Sequence, residues 1–355
     1  MENIKRKATR QIRLGKVLIG GGAPVSIQSM LSVPTRAVDA ALAQIGALER
    51  SGCQIIRFAV TGEEDIRAIK SLKKGAAVPL IADIHFDHKL ALQALEAGID
   101  GLRINPGNIG SRAKVEAVVK AASESGVPIR IGVNSGSLPK ELVATHSVSA
   151  QAMLEAALQH VRILEDLNFD AIKISVKASH LPLMLASYRA LSDAVDYPLH
   201  LGITESGTLL AGSIKSAMAL GILLSEGIGD TLRVSLTADP VQEVLVAKQI
   251  LRNLELRKGL NIISCPTCGR TRVDLFSLAT EVENALQDYS DLPLTVAVMG
   301  CAVNGPGEAR EADFGIAGGD GEGLIFARGE IVKKVPEKQL VAELLRLIKE
   351  RIPGG

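Results

Sequence analysis

One phrase recurs eight times between residues 24 and 257: a short β-branched run, a turn of Gly, Pro, Asn or Asp, and an Ala/Leu-rich segment with helical spacing. The runs are Val25–Met30, Gln54–Val60, Pro79–Phe86, Gly101–Asn105, Pro128–Asn134, Ala171–Val176, Pro198–Thr204 and Thr231–Leu236. Amphipathic stretches such as Val38–Arg50, Arg112–Ser123, Ala150–Leu167 and Pro240–Leu256 separate them. A helix after every strand returns the chain to the edge where that strand began, so the strands run parallel. Eight units over roughly 230 residues match a (β/α)8 TIM-type barrel, with an open doubly wound sheet as the rival.

After Lys258–Gly259 the phrase changes. A strand at Asn261–Ser264 leads into CPTC, a helix follows through Ser277–Gln287, and Leu294–Met299 leads into GCAVNGPGEA. A Gly-rich hairpin signal at Ala317–Gly323 and an amphipathic helix over Glu337–Ile352 complete a smaller α+β domain, and the tail Pro353–Gly355 reads as frayed. The expected organisation is therefore an α/β barrel over residues 1–258 and a second domain over 259–355.

Forty Lys and Arg against 39 Asp and Glu leave a net charge of +1, so no global field recruits nucleic acid or a membrane surface. Hydrophobic runs such as Ala217–Leu224 fall far short of the roughly 20 residues that span a bilayer. The basic N-terminus has no apolar stretch of signal-peptide length, so the expected location is the cytoplasm. Four cysteines in a reducing compartment do not form a disulfide framework, which leaves metal binding or redox chemistry.

Cys265 and Cys268 form a C-x-x-C pair where an apolar strand ends, Cys301 follows about 33 residues later at the end of another, and Glu308 comes after Asn304-Gly305-Pro306-Gly307. Three thiolates suit zinc or an iron-sulfur cluster, and each needs a fourth ligand. All six histidines lie between His85 and His200, so the second domain has no local imidazole and a carboxylate or substrate oxygen must serve. The NGPG and CPTCG turns offer backbone N–H groups to cluster sulfides, which favours the cluster over a zinc knob or a thioredoxin-like dithiol. Cys53, in Gly52-Cys53-Gln54-Ile55, reads as a small buried residue.

Barrel strands carry apolar residues on both faces, so charges recurring at alternate strand positions need a reason. Arg103 and Asn105 share parity in GLRIN, Arg130 and Asn134 in IRIGVN, Lys173, Ser175 and Lys177 in IKISVK, and Arg233 and Ser235 in LRVS. Arg57, Asp83 with His85, and Thr204-Glu205 hold similar strand-end positions. Six cations against two carboxylates make a positive barrel mouth, for which a phosphate or diphosphate is the natural guest. Internal ion pairs are the structural alternative. No G-x-x-x-x-G-K-[ST] motif occurs, which argues against a nucleoside triphosphate.

SCPTCGRTRVDL at Ser264–Leu275, MGCAVNGPGEAREADFGIAGG at Met299–Gly319, VSIQSM, ADIHF and RINPGNIG resemble the (E)-4-hydroxy-3-methylbut-2-enyl diphosphate synthase family of the methylerythritol phosphate route to isoprenoids, over nearly the whole chain. The resemblance implies reductive ring opening and dehydration of 2-C-methyl-D-erythritol 2,4-cyclodiphosphate, in the two-domain bacterial form. It implies a [4Fe-4S] cluster on Cys265, Cys268, Cys301 and Glu308, in a domain resembling a sulfite/nitrite reductase half-domain, with flavodoxin or ferredoxin as electron donor. It further implies a homodimer in which the cluster domain covers the partner's barrel mouth. The implied diphosphate ligands are Arg57, Arg103, Arg130, Asn134, Lys177, Arg233 and Ser235, joined on parity by Asn105. Glu308 is expected to be the exchangeable cluster ligand, with Glu205 or His85 as proton donors. A sirohaem-type sulfite or nitrite reductase and a non-redox phosphate-binding barrel with structural zinc are the other functions this chemistry allows.

Overall fold

The structure is a computed structural model that describes residues 4–301 and 309–352. The chain divides into two compact units, Met1–Leu256 and Arg257–Gly355.

The first unit opens on an antiparallel hairpin, β1 (Ile12–Leu14) and β2 (Val17–Ile19), turned at Gly15, whose φ of +52° favours glycine. Eight parallel strands follow: β3 (Ser26–Met30), β4 (Ile55–Ala59), β5 (Leu80–Asp83), β6 (Gly101–Ile104), β7 (Ile129–Asn134), β8 (Ile172–Lys177), β9 (His200–Leu201) and β10 (Thr231–Leu232). They lie in the order β8-β7-β6-β5-β4-β3-β10-β9, and a parallel bridge from Ile174 to Leu199 joins the two ends. The result is a barrel rather than an open sheet.

All eight sequence runs become strands, but Pro198–Thr204 and Thr231–Leu236 pair over only two residues each. The ladder ends there because the chain is diverted. Arg233 N–H still reaches Leu201 O at 2.9 Å, and then Leu236 N–H turns to the Glu243 carboxylate at 3.0 Å.

Strand alternation sorts the side chains. Ile56, Phe58, Leu102, Ile104, Ile129, Ile131, Ile172 and Ile174 join the large core against the helices. Ile55 and Ile81 have the other parity and pack with Ile12, Leu14 and Ile19 of the hairpin. That hairpin is an apolar plug under one end of the barrel, and the sequence reading had missed it. Its Ile-Arg-Leu-Gly-Lys-Val-Leu-Ile pattern, with glycine between two alternating runs, was the available signal.

The second unit is one mixed sheet, β11 (Asn261–Ser264), β12 (Thr295–Met299), β13 (Phe314–Gly318), β14 (Glu322–Ala327) and β15 (Glu330–Pro336), in sequence order. Its first three strands are parallel and the last two antiparallel. The helices Leu275–Ala285 and Leu340–Arg351 bury Leu278, Val282, Leu344 and Ile348 with Val296, Val298 and Ile316 of the sheet. Ala297, Met299, Ala317 and Phe326 form a separate small cluster. β15, EIVKKVP, lay outside the sequence reading because most of it is exposed at the sheet edge, where burial imposes no apolar alternation. Pro353–Gly355, the tail expected to be frayed, lie outside the described residues.

Candidate active site

Cross-strand register turns the charged parity of the sequence into a row. Asp83 of β5 faces Arg103 of β6, Arg103 faces Arg130 of β7, and Arg130 faces Lys173 of β8, all as Cα partners. Four ionisable side chains thus stand side by side across four strands. Each is at least 94% buried, at 4%, 6%, 3% and 2% exposure respectively. Buried charge at this density is expensive unless paired.

Pairing is partial. The Asp83 carboxylate takes Arg103 Nη1 at 3.1 Å and Arg57 Nη1 at 3.4 Å, with His85 Nε2 at 3.4 Å. Burial alone raises the Asp83 carboxyl, but Arg57, Arg103 and Arg130 together outweigh it and hold the group below the usual carboxylate value. Arg130 has neither Nε nor Nη1 hydrogen-bonded, and Lys173 Nζ has no partner, among the described residues. Burial, reinforced by neighbouring guanidinium groups, pushes Arg130, Lys173 and Lys177 well below their ordinary values and Arg57 down to about 10. The internal ion-pair alternative therefore accounts for Arg57, Arg103 and Arg233 and, among the described residues, fails for Arg130 and the two lysines.

Two glycines make room for these side chains. A methyl at Gly132 would lie 2.9 Å from Arg103 Nε, and one at Gly202 would lie 2.7 Å from Lys177 Nζ. Toward the strand ends Lys177 is the Cα partner of Asn134, and Asn105 is buried just beyond β6. Arg233 follows β10 and pairs with Glu243 at 3.4 Å, while Ser235 is half-buried in the same segment.

The two candidate proton donors are exposed, unlike the row, although His85 touches it. His85 is exposed in the loop after β5, with its Nε2 at 3.0 Å from Arg103 Nη1. Burial, with Arg103 and Arg57, lowers its affinity for a proton despite Asp83. Glu205 is exposed after β9 and adopts a φ of +54°, a left-handed conformation that costs a non-glycine residue about 1 kcal/mol or more. The second carboxylate paired with an inner cation is therefore Glu243 and not Glu205. Glu243 comes from the helix Pro240–Asn253, is 4% exposed, and also accepts the Ser29 hydroxyl at 3.1 Å. Sequence reasoning missed it, although a carboxylate on the apolar face of that helix, beside Val244 and Ala247, was a readable anomaly.

In the second unit the thiols occupy strand ends, as register dictates. Ser264 and Val298 are Cα partners, so Cys265 and Cys301 leave adjacent parallel strands on the same side. Gly300 N–H donates to Cys265 Sγ at 3.2 Å. The Cys268–Thr271 turn is closed by Cys268 N–H on Thr271 Oγ1 at 3.1 Å and Thr271 N–H on Cys268 O at 3.0 Å. The Arg270 N–H and guanidinium hold the exposed Cys268 thiol below its ordinary value. Cys265 and Cys301 are half-buried. Among the described residues no three His, Cys, Asp or Glu side chains gather closely enough to hold a metal ion, and Glu308 lies outside them. Cys53 is buried, its thiol pushed up to about 12 by that burial, and it takes no part in either constellation.

No described helix is long and apolar enough to cross a membrane. The fold of the first unit is shared with N-acetylneuraminic acid synthetase from Leptospira borgpetersenii serovar Hardjo-bovis, at a TM-score of 0.51 and 14% identity over 70% of this chain and 90% of that one. At that identity the likeness speaks for the barrel alone. The 4-hydroxy-3-methylbut-2-en-1-yl diphosphate synthase (flavodoxin) of Geobacter sulfurreducens is 59% identical over 97% of this chain and 99% of its own length. The protein of the same name from Brevibacillus brevis is 56% identical over 98% of this chain and 96% of its own. The family model for the GcpE TIM-barrel domain matches residues 9–248, and that for the GcpE C-terminal domain matches residues 261–350. The chain belongs to the GcpE family.

Proposed function

We propose that this chain converts 2-C-methyl-D-erythritol 2,4-cyclodiphosphate to (E)-4-hydroxy-3-methylbut-2-enyl diphosphate, with flavodoxin as electron donor, in isoprenoid biosynthesis. The reaction consumes two electrons and two protons, opens the ring at a carbon–oxygen bond and releases one water. The names of the relatives support this reading, and neither the sirohaem nor the zinc alternative appears in them. The observation that carries it is the buried row of Arg103, Arg130 and Lys173 with Asp83 as its single carboxylate.

Arg57, Arg103 and Arg130 present planar forks that match phosphate oxygens, and Lys177, Asn134, Arg233, Ser235 and Asn105 ring the strand ends above them. A diphosphate there satisfies N–H groups left open on Arg57, Arg103 and Arg130. It also raises the proton affinity of His85, whose imidazole otherwise faces two guanidinium groups. His85 then becomes able to hold a proton beside Arg103 and give it up to the departing oxygen. Glu205 is the second candidate for that task.

Cys265, Cys268 and Cys301, with Glu308, fit a [4Fe-4S] cluster. Three thiols free of disulfides and a unit without histidine match its donor set, and the Gly300 N–H on Cys265 Sγ is the kind of hydrogen bond that tunes such a cluster. When bound, the cluster supplies single electrons and a Lewis-acidic iron. Dimerisation belongs to the same proposal. The helix Leu209–Ser225 exposes Leu210, Ile214 and Met218 four residues apart, an apolar stripe suited to burial against a second copy.

Metal analysis of anaerobically purified protein tests the cofactor assignment. About four irons per chain without a haem band support it. Stoichiometric zinc without iron would remove it.

A further inference from the structure

Lys173 is a deeply buried amine of the barrel wall that pairs with no carboxylate among the described residues. It is 2% exposed, and its Nζ has no hydrogen-bond partner among the described residues. It stands four residues, about 13 Å of strand, before Lys177 and so lies well below the mouth, beside its Cα partner Arg130. Lys173 and Arg130, with Ile12, Leu14, Ile81 and Leu102, line a cavity of about 10 Å³, room for at most one water and no anion. Lys173 is therefore no direct diphosphate ligand.

The groups that act on it are Arg130 of β7, Arg57 of β4, His200 of β9 and Asp230 just before β10. Three of these are cationic or can become so. The one carboxylate is already engaged, because Asp230 accepts Arg6 Nη2 at 3.0 Å, Thr9 Oγ1 at 3.0 Å and Leu199 N–H at 2.9 Å. Asp83 is held by Arg57, Arg103 and His85. Among the described residues an ammonium at Lys173 faces no carboxylate that is not already engaged.

We propose that Lys173 is a positioning residue beneath the anion site, uncharged while the barrel is empty and protonated when a diphosphate settles on Arg57, Arg103 and Arg130, so that anion binding draws a proton from solution. The uncharged amine spares its cross-strand neighbour Arg130 a second buried positive charge. Arrival of the anion reverses the local field, and the amine takes up a proton. Burial and the neighbouring guanidinium groups set the resting state, and both act in the direction required. The consequence is an anion site whose affinity falls as pH rises. The inference rests on the diphosphate-binding reading of the barrel.

The test is calorimetric titration of the full chain with inorganic diphosphate at about pH 8, in buffers of differing ionisation enthalpy, which yields the protons exchanged per ligand bound. Wild type should take up about one proton more than Lys173→Met or Lys173→Leu. The ligand's own ionisation and that of Lys177 are common to all three and cancel in the difference. Equal exchange in wild type and variants overturns the proposal without touching the anion site. Failure of wild type to bind diphosphate, or binding unaffected by Arg103→Met, overturns the barrel reading and the inference with it.

Discussion

Asp83 and Arg103 are joined twice, as Cα partners on neighbouring strands and through an Oδ1–Nη1 contact of 3.1 Å. The same carboxylate reaches Arg57 at 3.4 Å, so one aspartate sets the spacing of two guanidinium groups inside the barrel. Replacing it by asparagine leaves both buried cations uncompensated. Asp83→Asn should cost about 3–5 kcal/mol of stability, read as a lowered denaturation midpoint. Because the Asp83 carboxyl is held below its unfolded value of 3.8, its stabilisation is complete above that pH and is lost as pH falls through the lower folded value. The variant should therefore lack part of the acid limb of the wild-type stability curve.

Gly132 gives a sharper test of the clamp, because the atoms nearest to a methyl there all belong to Arg103. A methyl placed 2.9 Å from Arg103 Nε and 3.0 Å from Nη2 must move the guanidinium. Gly132→Ala should weaken diphosphate binding by about 10- to 100-fold, the worth of one charged hydrogen-bonded contact. Iron content should be unchanged. Wild-type affinity in the titration would show that Arg103 is not a ligand.

Glu243 anchors the loop that carries Arg233 and Ser235, accepting Leu236 N–H at 3.0 Å and Arg233 Nη2 at 3.4 Å. Glu243→Gln should keep the backbone hydrogen bond and lose the charge pairing. A rise in KM of about 10-fold with a smaller change in kcat is expected, since the loop positions ligands and does no chemistry. A loss confined to kcat would place Glu243 in the reaction itself.

Much of this was legible beforehand, for reasons that particular residues show. The eight strands announced themselves because burial on the outer face demands Ile, Val and Leu at every second position. The inward arginines stood out because they broke that rule. What the sequence could not give was depth. Lys173 and Lys177 share one strand and one parity, and only the register of Lys173 with Arg130 and of Lys177 with Asn134 separates floor from mouth. Glu243 escaped for a related reason, since its partner Arg233 lies on another element and local periodicity carries no information about that contact. The cysteine pattern is the opposite case. Its chemistry is local, so C-x-x-C and the later thiol could be read directly, while the role of Glu308 still rests on the sequence resemblance.

Glu308 is open to a direct test. Glu308→Cys should yield a protein with its iron content and cluster absorption retained and its turnover nearly abolished. Wild-type turnover in that variant would remove the glutamate from the chemistry.

The central claim is that this chain performs the reductive opening of a cyclic diphosphate. Anaerobically purified protein, loaded with iron and supplied with 2-C-methyl-D-erythritol 2,4-cyclodiphosphate and reduced flavodoxin, should form (E)-4-hydroxy-3-methylbut-2-enyl diphosphate, with two electrons consumed per product. Absence of that product, with the cluster intact and a chemical reductant in place of flavodoxin giving the same result, would contradict the account.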